Sequence, residues 1–217
     1  MAQVFSTRFT LVLRVVALGA VAVIAIAAIT YRVNARSDAP LGAPVDQVVP
    51  FSHKHHVGDD GIDCRYCHVA VETSAFAGIP PLSTCMTCHS QLFTDQPILQ
   101  PLVNAYANGT PLAWKRVNAL PGFVYFDHSI HIAKGVGCST CHGAVDTMPL
   151  TSRAASLDMQ WCIACHRAPE QYLRPADRVF DMHWTPPPDQ SVRGAALMVA
   201  NHVRGADVLT SCSTCHR

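Results

Sequence analysis

Residues 51–68 read FSHKHHVGDDGIDCRYCH, and the rest of the chain is best read outward from them. The stretch ends in Cys64-Arg65-Tyr66-Cys67-His68, a C-x-x-C-H motif. Its two thiols are spaced to form thioethers to one porphyrin, and the histidine directly after them is placed to bind the iron. The stretch begins with Phe51-x-His53-x-x-His56, which offers imidazoles for the opposite face. C-x-x-C-H recurs at Cys85, Cys88 and His89, at Cys138, Cys141 and His142, at Cys162, Cys165 and His166, and at Cys212, Cys215 and His216. These motifs consume all ten cysteines. At the chain's own Cys and His frequencies, random order would give on the order of 0.02–0.03 such motifs. Zinc would pair two C-x-x-C knuckles into one four-cysteine site, leaving one of the five over and every adjacent histidine without a role. Disulfides need neither the histidine nor the fixed spacing. The sequence therefore predicts five covalently bound c-type haems.

Only 14% of the 217 residues are charged and 49% are apolar, which is unusual for a soluble domain. An apolar N-terminal run accounts for part of the excess, and porphyrins would supply core that side chains otherwise provide. With the N-terminal thirty residues set aside, about 37 residues remain per motif, too few for long regular elements. The expected fold is mainly α and irregular: an N-terminal transmembrane helix plus a multihaem cytochrome c domain wrapped around its cofactors. A net charge of +1 gives no reason to expect a nucleic-acid partner.

Residues 1–31 read as a membrane anchor. Val15 to Thr30 carries no charge, and the uncharged run extends to Leu11 if Arg14 snorkels toward the headgroups. Val33-Asn34-Ala35 is a passable signal cleavage site, but the apolar run is long for a signal, and an uncleaved anchor is expected. Arginine counting does not orient it, since Arg8 and Arg14 balance Arg32 and Arg36. Thioether attachment of haem places the chain beyond the anchor on the periplasmic side of the cytoplasmic membrane, with a single pass. Residues 32–50, with three prolines, read as an extended tether that packs little.

Beyond the tether the chain repeats itself. Phe51, His53 and His56 answer Phe126, His128 and His131 at an offset of 75; Cys64 answers Cys138 at 74, and Cys85 answers Cys162 at 77. CHVAVET after the first motif matches CHGAVDT after the third. Residues 51–122 and 123–180 are thus two di-haem modules, each with one F-x-H-x-x-H, and residues 181–217 carry a fifth haem. Between the motifs, 95–109 reads as a short helix opened by Pro97, 114–126 as extended chain, and 194–204 as a short helix.

Iron with protein ligands on both faces passes electrons but cannot bind a substrate. His68, His89, His142, His166 and His216 are the proximal ligands, which leaves seven histidines for five distal places. The simplest assignment sends His53 to the haem of His68, His56 to that of His89, His128 to that of His142 and His131 to that of His166. His55, where the second repeat has Ile130, is the spare. His202 stands ten residues before Cys212, as His128 stands before Cys138, and is the expected fifth distal ligand. His183, Met148, Met159 and Met198 are the alternatives.

F-x-H-x-x-H ahead of C-x-x-C-H resembles the class III, cytochrome c3/c7 type of bis-histidine multihaem cytochrome. The motif order and the phrases AGIPPLSTCMTCH, LPGFVYFDHSIHIAKGVGCSTCHG, SLDMQWCIACHR and LTSCSTCHR are similar to the pentahaem cytochrome subunit of bacterial alternative complex III. That resemblance implies a non-catalytic electron-transfer subunit of a quinol-oxidising respiratory or photosynthetic complex. Its implied partners are an iron–sulfur protein and polytopic quinol-binding membrane subunits, with a monohaem cytochrome or terminal oxidase as acceptor. Two competing readings are a stand-alone membrane-anchored multihaem quinol dehydrogenase and a periplasmic multihaem reductase of the nitrite-reducing sort. The latter needs an open iron, often marked by Lys in place of His, and all five motifs here end in His.

Overall fold

The computed structural model describes residues 6–35 and 40–216, without the side chains of 32–35. The start of the tether, including Arg36, lies outside the described residues. The chain forms two compact units, Met1–Asp38 and Ala39–Arg217.

The first unit is one helix, α1 (Thr7–Ala35). Its apolar stretch Thr7–Tyr31 is long and apolar enough to cross a bilayer, and none of it is buried against protein. Leu, Val and Ile project from every side, which suits a lipid surround and would be costly in water.

The second unit is built of short helices joined by turns: α2 (Cys64–Cys67), α3 (Leu82–His89), α4 (Gln100–Ala107), α5 (His128–Ala133), α6 (Cys138–His142), α7 (Met159–Arg167), α8 (Gln190–Ala200), α9 (Ala206–Leu209) and α10 (Cys212–Cys215). Among the described residues there is no strand, only isolated bridges such as Val124 with His216 and Val136 with Leu173. This is the mainly helical and irregular architecture expected. Every C-x-x-C lies in one of these helices, so its two thiols, three residues apart, share a face. Asp63, Asp127 and Asp158 start α2, α5 and α7 by accepting from the N–H of Arg65, Ile130 and Trp161.

The apolar core is small. Val49, Val71, Leu102, Ala105, Ala155, Leu173 and Val179 are the apolar residues buried among those described. The repeats interlock instead through backbone. His128 and Ser129 N–H donate to the carbonyls of Ala75 and Ser74, and Lys54 N–H donates to that of Met148. Gly58 sits where any Cβ would strike the Asp146 carbonyl, so that approach requires glycine. Gly194 likewise lets α8 lie on the backbone of Glu170.

Three expectations are refined. The described part of the tether does pack: Gly42 and Val45 N–H donate to Arg153 and Thr151, and Val49 is buried. Extended, proline-rich chain has free backbone groups, and residues 151–153 supply partners for them. The helix expected over 95–109 is a 3₁₀ turn at Pro97–Leu99 continued by α4, with Pro97 at its start. The helix expected over 194–204 is α8, shifted to Gln190–Ala200; His202 lies past its end with φ 52°.

Candidate haem centres

The two F-x-H-x-x-H stretches place their rings almost identically. Phe51 lies 4.9 Å from His53, edge-on, and 4.5 Å from His56, stacked. Phe126 lies 4.8 Å from His128 and 4.5 Å from His131 in the same two arrangements. Each phenylalanine therefore holds two imidazoles apart and aims them at different motifs.

The histidines paired by sequence meet across similar gaps. Ring centres are 6.1 Å apart for His56 and His89, 6.3 Å for His128 and His142, and 6.2 Å for His131 and His166. A metal bound to two imidazole nitrogens at about 2.0–2.1 Å on opposite sides puts the ring centres about 6.2–6.4 Å apart. The spacing thus fits one metal between each pair. Among the described residues no group of three or more His, Cys, Asp or Glu could hold a bare metal ion. Paired imidazoles beside two cysteines suit a metal whose other four positions belong to a macrocycle.

The ring nitrogens are prepared for this. Nδ1 of His56, His68, His89, His128, His131, His166 and His216 faces the carbonyl of Ser52, Gly78, Leu92, Ala75, Asp127, Leu209 and Phe123 respectively, at 2.7–3.2 Å. Nδ1 of His53 meets the Thr151 hydroxyl at 2.9 Å. A carbonyl fixes the proton on Nδ1 and leaves the Nε2 lone pair for a metal. His142 has the Asn118 amide at 3.1 Å, and Asn118 Oδ1 is buried without a partner. A half-turn of that amide satisfies both groups, with Oδ1 accepting from the ring. Burial pushes His53 and His142 down to about 4 and lowers His131 as well, so these rings are neutral at pH 7.

The remaining histidines are placed otherwise. His55 Nε2 lies 3.6 Å from the Asp60 carboxylate. His183 Nε2 is 2.9 Å from the buried Asp146 carboxylate, which lies near Cys64. The Met148 sulfur accepts from Ser152, and its carbonyl holds Lys54, also away from motif five. His202 is exposed, and among the described residues no histidine ring contacts His216, whose neighbour is Phe123 at 5.8 Å. His202, Met159 and Met198 remain as the groups free to approach motif five.

The motifs form a row. Cys67 is raised by burial and by the neighbouring charge of Cys85, which joins motif two to motif one. Burial and Cys64 push Cys138 up to about 11, joining motif one to motif three. Burial, Cys165 and Cys162 push Cys141 up to about 12, and burial with Cys215 raises Cys162. Thioether formation removes these protons, so the shifts report burial and proximity. The spatial order is two, one, three, four, five. Cys88 and Cys212, in the two end motifs, are exposed, whereas the other cysteines are half-buried.

Sequence reasoning did not find Asn118, Thr151 or the carbonyls that orient the rings. Backbone acceptors leave no mark in composition, and Thr151 stands 98 residues from His53.

Residues 124–217 match the family described as cytochrome c7 and related cytochrome c. The multiheme cytochrome c subunit of menaquinone reductase from Nitratidesulfovibrio vulgaris (strain Hildenborough) is 36% identical over 98 residues, 45% of this chain. That match spans 46% of the relative, slightly less than half its length.

Proposed function

We propose that this chain, whose residues 124–217 are a multihaem cytochrome c7-like domain, is the electron-carrying subunit of a quinol-oxidising membrane complex of the alternative complex III type. When bound, each of five haems supplies a one-electron iron couple. The cysteines of the five motifs hold the porphyrins, with His68, His89, His142, His166 and His216 as proximal ligands. His53, His56, His128 and His131 close the opposite faces of the first four irons. His202 is the position we assign to the fifth. α1 anchors the chain in the cytoplasmic membrane, with the haem domain on the periplasmic side. The partners are an iron–sulfur protein and polytopic quinol-binding subunits on one side, and a monohaem cytochrome or terminal oxidase on the other.

The observation that carries this reading is the set of imidazole pairs 6.1–6.3 Å apart. Irons closed on both faces have no position for substrate, which suits a carrier and not a reductase. The exposed cysteines at both ends of the row leave the two end motifs open to partners. A second reading, the stand-alone quinol dehydrogenase, draws on motif five, where no second imidazole touches His216 among the described residues. Purification separates the two. The isolated, fully haem-loaded chain should accept electrons from a reduced partner yet fail to oxidise a quinol analogue; quinol oxidation by the chain alone would establish the second reading.

A further inference from the structure

Arg174 is only 3% exposed, yet no carboxylate hydrogen-bonds it. Nη1 donates to the carbonyls of Arg178 and Asp181 at 3.4 and 2.9 Å, and Nη2 to the hydroxyls of Ser139 and Thr140 at 3.1 and 3.2 Å. Nε has no partner, and the guanidinium lies 4.5 Å over the Trp184 ring. The Asp181 carboxylate acts on it from nearby but is itself paired with Arg178. Arginine stays charged in proteins, so a whole positive charge rests here on neutral dipoles.

The position of that charge is specific. Ser139 and Thr140 are the two residues between Cys138 and Cys141, and Gly137, just before them, lacks the Cβ that would strike the guanidinium. The cation therefore lies against the linker of the central motif. Motif five has the same Cys-Ser-Thr-Cys-His sequence, but its hydroxyls bond Ser211 and the Val208 carbonyl. Motif one carries Arg65 in its linker, but that side chain is exposed and paired with Asp63 and Glu72.

We propose that Arg174 sets the reduction potential of the haem at Cys138, Cys141 and His142, holding it above the value the same motif would have without a buried cation. The inference rests on reading motif three as a haem site. Reduction lowers the positive charge on the iron by one, and a cation held in a poorly polarisable interior favours that state. The electron then dwells longest at the middle of the row, between the two modules. Arg174 is a positioning charge; it needs no contact with the iron.

Spectroelectrochemical titration of the full, haem-loaded chain tests this, with covalent haem counted alongside. R174Q should keep every haem and lower one midpoint by about tenfold in its redox equilibrium, 59 mV for a one-electron couple. R174K, which keeps the charge, should stay near wild type. D181N removes an offsetting negative charge and should move the same midpoint upward. Unchanged midpoints in fully loaded R174Q overturn the proposal, as does R174K shifting as far as R174Q, since position and not charge would then be responsible. If R174Q fails to mature, D181N decides: an upward shift supports the proposal and an unchanged midpoint overturns it. Absence of covalent haem at motif three in the wild type would instead remove the haem reading itself.

Discussion

In the first module Phe51 stands 4.9 and 4.5 Å from its two histidines; in the second Phe126 stands 4.8 and 4.5 Å from its own. Beyond this shared clamp the modules part. The planes of His56 and His89 are inclined at 65°, those of His131 and His166 at 22°. His89 is oriented by the carbonyl of Leu92, three residues on, in an exposed turn where Phe93 has φ 58°. His166 is oriented by Leu209, 43 residues away in the C-terminal segment. The difference teaches that the distal ligand's placement is local, written in F-x-H-x-x-H. The plane of the proximal ring is set by whichever carbonyl the tertiary fold brings to Nδ1. The third segment thus buttresses module two, while the motif-two end of module one holds its ring with its own turn.

The largest expected effect comes from removing a thioether pair. Cys138→Ser with Cys141→Ser should lower covalent haem from five to four per chain in a pyridine haemochrome assay, and should slow electron passage between the modules, since motif three is the link. Five haems remaining would show that the motif is not an attachment site. Next, His128→Ala and its repeat equivalent His53→Ala should each convert one low-spin iron to high-spin while all porphyrins stay attached. An unchanged low-spin count in either would break the equivalence of the modules.

Packing gives smaller effects. Gly194→Ala forces a methyl onto the Glu170 backbone and should cost about 1–3 kcal/mol of thermal stability. It should perturb the haem at His166 before that at His89, because α8 supports only module two. Equal disturbance of both would count against separate buttressing. Smallest of all, His55→Ile copies Ile130 of the second repeat and should leave every haem low-spin, since His55 has only Asp60 and the edge of His56 beside it. A spectral change would make His55 a ligand.

Much of this architecture was legible because haem attachment demands residues at fixed spacing. The repeat offset near 75 located the clamps, and the scarcity of residues per motif predicted short helices and turns, as found. The fit of Val49 and residues 42–45 against 151–153 was not legible, because extended chain pairs through backbone groups common to all residues. Arg174 was equally hidden: an arginine in a proline-rich stretch reads as surface until Gly137 and Trp184 close over it. His202 marks a boundary of the spacing argument. It has the right distance to Cys212, but α8 ends at Ala200, and the turn beyond, not the helix, decides where that ring points.

The central claim is that paired imidazoles close the irons of the two modules, and EPR of the fully oxidised protein tests it most directly. The angle between axial imidazole planes sets the splitting of the iron d orbitals. The pairs at 6° and 22° should therefore give rhombic low-spin signals, and the pair at 65° a more anisotropic low-spin signal. High-spin iron should amount to no more than one haem per chain. Two or more high-spin haems in undamaged protein would contradict the account.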